Sequence, residues 1–273
     1  MADATKGQRY LDERAESRPV ALSPADLRDE LLRVHRDGYG SGDRTGWPSV
    51  DKNFTVAPGQ ITTITGYPNS GKSQFADALA LNLARIGWRF VFCSLENIPA
   101  VLHVEKLVKQ YLGKPMRPGP SARMTEDEAG EAATEMSDWF TFLVPTEKKP
   151  NPAMFEVIEA IEDSFKKRAL WGGTENRLAC VIDPYNELEH LRPTGMSETE
   201  YVSECLSMLR QWSRRHLVHV FLIAHPAKQQ RAKDTGKLPI PTPDMISGSA
   251  NFWNKSDNCI TVYLPRDHES DQV

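Results

Sequence analysis

The residues whose types and spacing point most directly to chemistry are Gly66, Tyr67, Pro68, Asn69, Ser70, Gly71, Lys72 and Ser73, which fit the pattern GxxxxGK followed by Ser or Thr. Glycines at both ends let the backbone turn so that successive N–H groups point inward around a phosphate, and a helix starting near Lys72 aims its positive end at the same anion. In such a loop Lys72 reaches the β and γ phosphates and Ser73 ligates Mg²⁺. Gly66, Pro68, Asn69, Ser70, Gly71, Lys72, Ser73 and Gln74 are therefore the expected nucleotide cradle, for ATP or another NTP or dNTP together with Mg²⁺. The alternative is a plain glycine turn between strand and helix. The context argues against it, because the apolar, β-branched run 60–65 precedes the loop and a helical pattern follows it.

Three further residues stand where such a loop needs partners. The run 178–183 is apolar and ends in Asp183, as a Walker B strand does when its terminal carboxylate holds Mg²⁺. Any strand can end in Asp, so this signal gains its weight from the loop at Gly66. Glu96 ends the buried run 89–95. His225 ends the run 218–224, at the edge of an open α/β sheet where ligands bind.

These side chains need elements to position them. Alternating strand and helix patterns along the chain imply an α/β fold. Expected strands cover 60–65, 89–95, 140–144, 178–183, 218–224 and 259–264. Expected helices cover 74–86, 99–112, 125–137, 153–170 and 197–216, the fifth of these with a Ser197 and Glu200 box at its start. Ahead of them, residues 1–22 read as a mobile leader, and Ser23, Pro24 and Asp26 open a short amphipathic helix with Leu27, Leu31 and Val34 on one face. Gly38, Gly40, Gly42 and Gly46 then form a tether, so the domain expectation is a linker over 23–45 and an ATPase domain over 46–273.

Composition bounds the function. The chain has 273 residues, 40% of them hydrophobic, and a formal net charge of −4. That charge gives no basic footprint for the whole chain, so a nucleic-acid contact must come from local loops such as the polar stretch 226–243 with Lys228, Arg231, Lys233 and Lys237. No apolar run approaches a membrane span and residues 1–6 carry no apolar signal segment, which makes the expected location cytoplasmic. Cys93, Cys180, Cys205 and Cys259 are far apart and form no CxxC pair, so buried thiols are expected in place of zinc ligands or disulfides.

Several segments taken together resemble one family. Residues 45–51 (Thr-Gly-Trp-Pro-Ser-Val-Asp), the loop 66–73, residues 94–97 (Ser-Leu-Glu-Asn), 181–183, 223–226 and 246–249 occur in the order of the RecA-like motor domains of hexameric replicative helicases. The sequence is similar to the DnaB, Twinkle and phage T7 primase-helicase group, above all to Twinkle-type helicase halves, from about Asp26 onward. The resemblance implies a RecA-like P-loop NTPase core acting as the motor of a ring; its partners would be single-stranded DNA, further copies in a hexamer, and a primase domain in the parent polypeptide. It implies that Glu96 activates the attacking water and that His225 senses the γ phosphate.

The same resemblance places the DNA loops after Asp183, around His190 and Arg192, and in the basic stretch, with Lys228, Arg231, Lys233 and Gly248 as contacts. It also implies a bacterial or phage-infected cell. Two departures stand out: Ser247 occupies a place where many relatives carry arginine, and the chain stops before the family's arginine-finger element, leaving Arg266 in the segment ahead of it. Two rival readings share the fold, a RecA- or KaiC-like ATPase of recombination or regulation and a nucleotide-binding module without motor activity.

Overall fold

The structure, a computed structural model, describes residues 21–37, 42–171, 177–227, 229, 238–246 and 250–265. It divides into two units, Met1–Gly42 and Asp43–Val273. In the first, Ser23 and Asp26 bond reciprocally: Ser23 N–H donates to Asp26 Oδ2 (2.8 Å) and Asp26 N–H to Ser23 Oγ (3.4 Å). This box closes a turn, and the helix proper, α1 (Arg28–Asp37), starts later than the sequence suggests. Residues 1–20 of the expected leader 1–22 and the tether residues Gly38 and Gly40 lie outside the described residues.

The second unit is a six-stranded parallel sheet of β1 (Ile61–Thr65), β2 (Arg89–Ser94), β3 (Phe140–Phe142), β4 (Leu178–Asp183), β5 (Val218–Ala224) and β6 (Asn258–Thr261), in the order β3-β2-β4-β5-β1-β6. Its helices are α2 (Lys72–Arg85), α3 (Val101–Leu112), α4 (Glu126–Met136), α5 (Met154–Lys167), α6 (Glu198–His216) and α7 (Ala250–Lys255). β2, β4 and β5 are nearly continuous apolar runs because both of their faces are covered. Phe90, Phe92, Phe221 and Ile223 point into a core shared with α2, α3 and α4. Val91, Cys93, Val220 and Leu222, one residue out of phase, point into the core built by α5, α6 and α7. Three of the four cysteines are buried, all four are free, and burial pushes the Cys93 thiol up to about 12.

Several ends differ from the expectation for local reasons. The helix expected to run to residue 170 stops at Lys167, because Ala169 turns left-handed (φ 55°) and Leu170 N–H closes back on the Phe165 carbonyl at 3.0 Å. Pro99 stands just before α3, whose first turn is closed by Leu102 N–H to the Pro99 carbonyl (2.9 Å). The last strand ends at Thr261, three residues early. Helix α7 was not expected, since six residues are too few to display a helical period.

One buried group links this packing to pH. His219 on β5 is fully buried, its Nδ1 2.7 Å from the Ala57 carbonyl and its Nε2 2.9 Å from Thr62 Oγ1. The neutral ring satisfies both, donating from Nδ1 and accepting at Nε2, and burial pulls its pKa down to about 4. The unfolded chain takes up this proton near pH 6.5 while the folded one resists it, so the stability contribution is complete above that pH and is lost as pH falls toward 4. The expected loss is about 3 kcal/mol across that window at ~1.4 kcal/mol per pH unit. Urea denaturation at pH 7 and pH 5 measures it, and His219→Gln should flatten the difference.

Candidate nucleotide-binding site

The sheet brings the expected residues to one edge. The loop 66–71 leaves β1, Glu96 lies just past β2, Asp183 ends β4 and His225 follows β5. A cavity of about 880 Å³ opens over these ends, lined by the phosphate loop from Pro68 to Gln74, by Glu96 and His225, and by residues of α2 and α3. The cradle depends on glycine: a Cβ on Gly66 would lie 2.2 Å from the Val262 carbonyl oxygen and 2.6 Å from Ser70 Oγ. Asn69 (φ 62°) and Gly71 (φ 91°) are left-handed, which turns the chain into α2.

Lys72 is buried beneath the loop, and its Nζ donates to the Tyr67 carbonyl at 3.0 Å. Burial lowers its pKa, while Asp183 and Glu96 pull the other way. Asp183 is 3% exposed; burial holds its carboxyl above the usual range and the Ser73 hydroxyl, which donates to it, acts in the opposite direction. Its Oδ1 has no hydrogen-bond partner, nor does Ser70 Oγ. A serine hydroxyl touching an incompletely satisfied carboxylate is a hard-oxygen donor set suited to Mg²⁺. Among the described residues no group of three His, Cys, Asp or Glu converges on a metal, so such a cation would complete its shell with phosphate and water. The residues present therefore fit Mg-nucleotide.

Glu96 Oε1 and His225 Nε2 are 3.3 Å apart. Glu96 does not cap the following helix: the cap position of α3 is Ala100 and carries no side-chain bond. His225 N–H donates to Asn186 Oδ1 (2.7 Å), tying the end of β5 to the turn after Asp183. His190, from the segment expected to touch DNA, packs its ring against Tyr185 and Tyr201, with centroids 5.1 and 5.5 Å away. Lys228, Arg231, Lys233, Gly248 and Arg266 lie outside the described residues. The chain flanking the basic stretch is pinned on both sides, by Ala227 N–H to the Met245 carbonyl (2.7 Å) and by Tyr67 Oη to the Pro239 carbonyl (2.8 Å).

Sequence reasoning passed over Asp77, Asn97, Lys106 and Lys109, which also line the cavity. For Asp77 a signal existed, its placement four residues after Ser73 on one helical face. Lys106 and Lys109 are spaced by three on the helix after Glu96, which puts both on the cavity side. Lys106 Nζ donates to Asn97 Oδ1. Gly66→Ala should force the loop away from Val262, costing about 1–3 kcal/mol as overpacking does. Thermal unfolding and nucleotide titration check it, and both the melting temperature and the affinity should fall.

No family model matches the chain. Over 280 aligned residues, 97% of the chain, it is 36% identical to the Twinkle homolog protein, chloroplastic/mitochondrial, of Arabidopsis thaliana. The chain spans 37% of that relative's length. Among solved structures, the ATPase domain of G40P superposes with a TM-score of 0.67 at 19% identity, covering 90% of this chain and 85% of that one. A DnaB-like replicative helicase, solved with attention to its interactions with primase, superposes with a TM-score of 0.69 at 18% identity, covering 97% of this chain and 62% of that one. The chain is a sequence relative of a Twinkle homolog with the RecA-like fold of DnaB-like replicative helicases, as its motifs led one to expect.

Proposed function

We propose that this chain is the nucleoside-triphosphate-hydrolysing motor domain of a ring-shaped helicase that moves on single-stranded DNA. The observation that carries the reading is the Glu96–His225 contact across one cavity from Lys72 and the touching Ser73 and Asp183. Lys72 would bind the β and γ phosphates, and the N–H groups of residues 68–73 would surround them. Ser73 and Asp183 would hold Mg²⁺, which supplies charge neutralisation at the β and γ oxygens. Glu96 would orient a water and accept its proton as that oxygen bonds to the γ phosphorus, while the bond to the β–γ bridging oxygen breaks and releases diphosphate and phosphate. His225, in contact with Glu96 at one end and next to the foot of the basic stretch at the other, is suited to report the γ phosphate to that stretch.

Single-stranded DNA would meet Lys228, Arg231, Lys233 and Gly248, through charge and backbone donors that do not read sequence. The motif resemblance to ring-forming helicase motors supports assembly with further copies, and the primase named with the DnaB-like structure supports a primase partner. The proposed units are a linker over 23–45 and a motor over 46–273. Among the described residues no helix is long and apolar enough to cross a membrane. The proposed compartment is that of a bacterial or phage-infected cell, which the organellar name of the relative does not support.

Hydrolysis assays with and without single-stranded DNA, beside negative-stain imaging, test the reading. Lys72→Ala should lose nucleotide binding, whereas Glu96→Gln should keep it while turnover falls by about a hundredfold or more. Normal hydrolysis by Glu96→Gln would put the base elsewhere. DNA affinity should fall with salt at a slope of about −0.7 per phosphate neutralised, and alanine at Lys228, Arg231 and Lys233 should flatten that slope. Filaments in place of rings would favour a recombinase.

A further inference from the structure

Beside the phosphate loop lies a buried carboxylate–imidazole hydrogen bond that the proposed mechanism leaves unused. Asp77 on α2 and His103 on α3 are each 2% exposed, and His103 Nε2 lies 2.8 Å from Asp77 Oδ1. The imidazole is fixed edge-on against Phe92 and Phe142, with centroids 4.8 and 5.2 Å away. Asp77 nevertheless keeps one oxygen, Oδ2, buried and without a partner, and its side chain lines the nucleotide cavity. A carboxylate oxygen left this way costs a few kcal/mol unless something cationic or a water meets it.

Its place on the helix says what that is. Ser73 and Asp77 are one turn apart, so their side chains lie on the same face with Cβ atoms about 5–6 Å apart. Ser73 in turn donates to Asp183, whose Oδ1 is also without a partner. Beyond burial, the carboxyl of Asp183 is pushed up by Glu96 and Asp77 and pulled down by His103, which puts each of these groups within electrostatic reach of Asp183. Two unsatisfied carboxylate oxygens thus belong to residues that flank the Ser73 hydroxyl at the base of the phosphate loop. Inner-sphere Mg²⁺ at Ser73 keeps several waters, and those waters donate outward to acceptors of this kind.

We propose that Asp77 is an outer-sphere ligand of the hydrated Mg²⁺, accepting a hydrogen bond from a metal-bound water through Oδ2, with His103 as the positioning residue that fixes its orientation through Oδ1. The inference rests on the nucleotide reading of the site. It reproduces on a carboxylate the arrangement by which partners behind a metal shell orient the groups in front of it.

Mn²⁺ titration of the protein–ADP complex, followed by electron paramagnetic resonance of the free ion, tests it. ADP affinity in EDTA and the melting temperature are measured on the same samples. Asp77→Asn should weaken Mn²⁺ binding by about tenfold to a hundredfold, the usual effect of losing such a partner, with ADP affinity in EDTA unchanged. His103→Gln, which keeps a donor at the position of Nε2, should stay near the wild-type metal affinity, and His103→Leu should not. Wild-type Mn²⁺ affinity in Asp77→Asn with a lowered melting temperature would overturn the proposal and leave the pair a strut between α2 and α3. If Asp77→Asn does not fold, equal metal affinities in the two His103 variants overturn it instead. Failure of the wild-type chain to bind ADP at all would overturn the nucleotide reading as well, and is distinguishable from either result.

Discussion

Parallel pairing is the constraint on which the site depends, because only parallel strands deliver all their carboxyl ends to one edge. The register makes those ends level. Ser94 pairs with Asp183 across β2 and β4, and Thr65 pairs with Ala224 across β1 and β5. The next residue on three of these strands is the first of a turn that carries a candidate site residue: Gly66 after Thr65, His225 after Ala224, and Leu95 leading to Glu96 after Ser94. A slip of one residue in any pair would shift a turn by about 3.3 Å along the strand and turn its side chains to the other face. The two cores prevent it, since Phe90 and Phe92 on one face and Val91 and Cys93 on the other cannot exchange without exposing one set or overfilling the other.

That edge carries an imbalance of charge. Asp77 and Glu96 line the cavity with Lys72, Asp183 and Glu96 act on the lysine electrostatically, and the lysine already donates to the Tyr67 carbonyl. Burial of Asp183 raises the cost of its charge, and the Ser73 hydroxyl offsets only part of it. A site of this kind is stabilised by a divalent cation, and a polyphosphate in turn needs both the cation and the lysine. The same residues thus explain why metal and nucleotide should bind together and not independently.

The cavity also ties chemistry to mechanical parts of the fold. Tyr67, inside the phosphate loop, holds the Pro239 carbonyl, and Asn186, just past Asp183, holds the His225 backbone. Thr261 at the end of β6 holds the Pro241 carbonyl at 2.9 Å. A shift of the loop on taking up phosphate would therefore act on the far flank of the basic stretch through a direct hydrogen bond, while the near flank is held by the turn after Asp183. Phosphate contact and the proposed DNA contact share the β5 edge, so neither needs a long chain of intermediates to influence the other.

Much of this was legible in the sequence. The glycine spacing fixes the loop at residues 66–73, since a Cβ at Gly66 has no room, and continuous apolar runs mark β2, β4 and β5 because both faces of a parallel sheet are buried. Asp183, Glu96 and His225 could be named because each directly follows such a run. What the sequence left open was whatever depends on contact between distant segments. Strand order, the 3.3 Å meeting of Glu96 with His225, the packing of the His190 ring against two tyrosines, and the Asp77–His103 pair join residues 26 to 129 positions apart or follow from packing around them. Local patterning determines where an element begins and which face it hides. Which charges end up within reach of each other is decided only when the sheet closes, because that proximity is a property of the packed layers and not of any one segment.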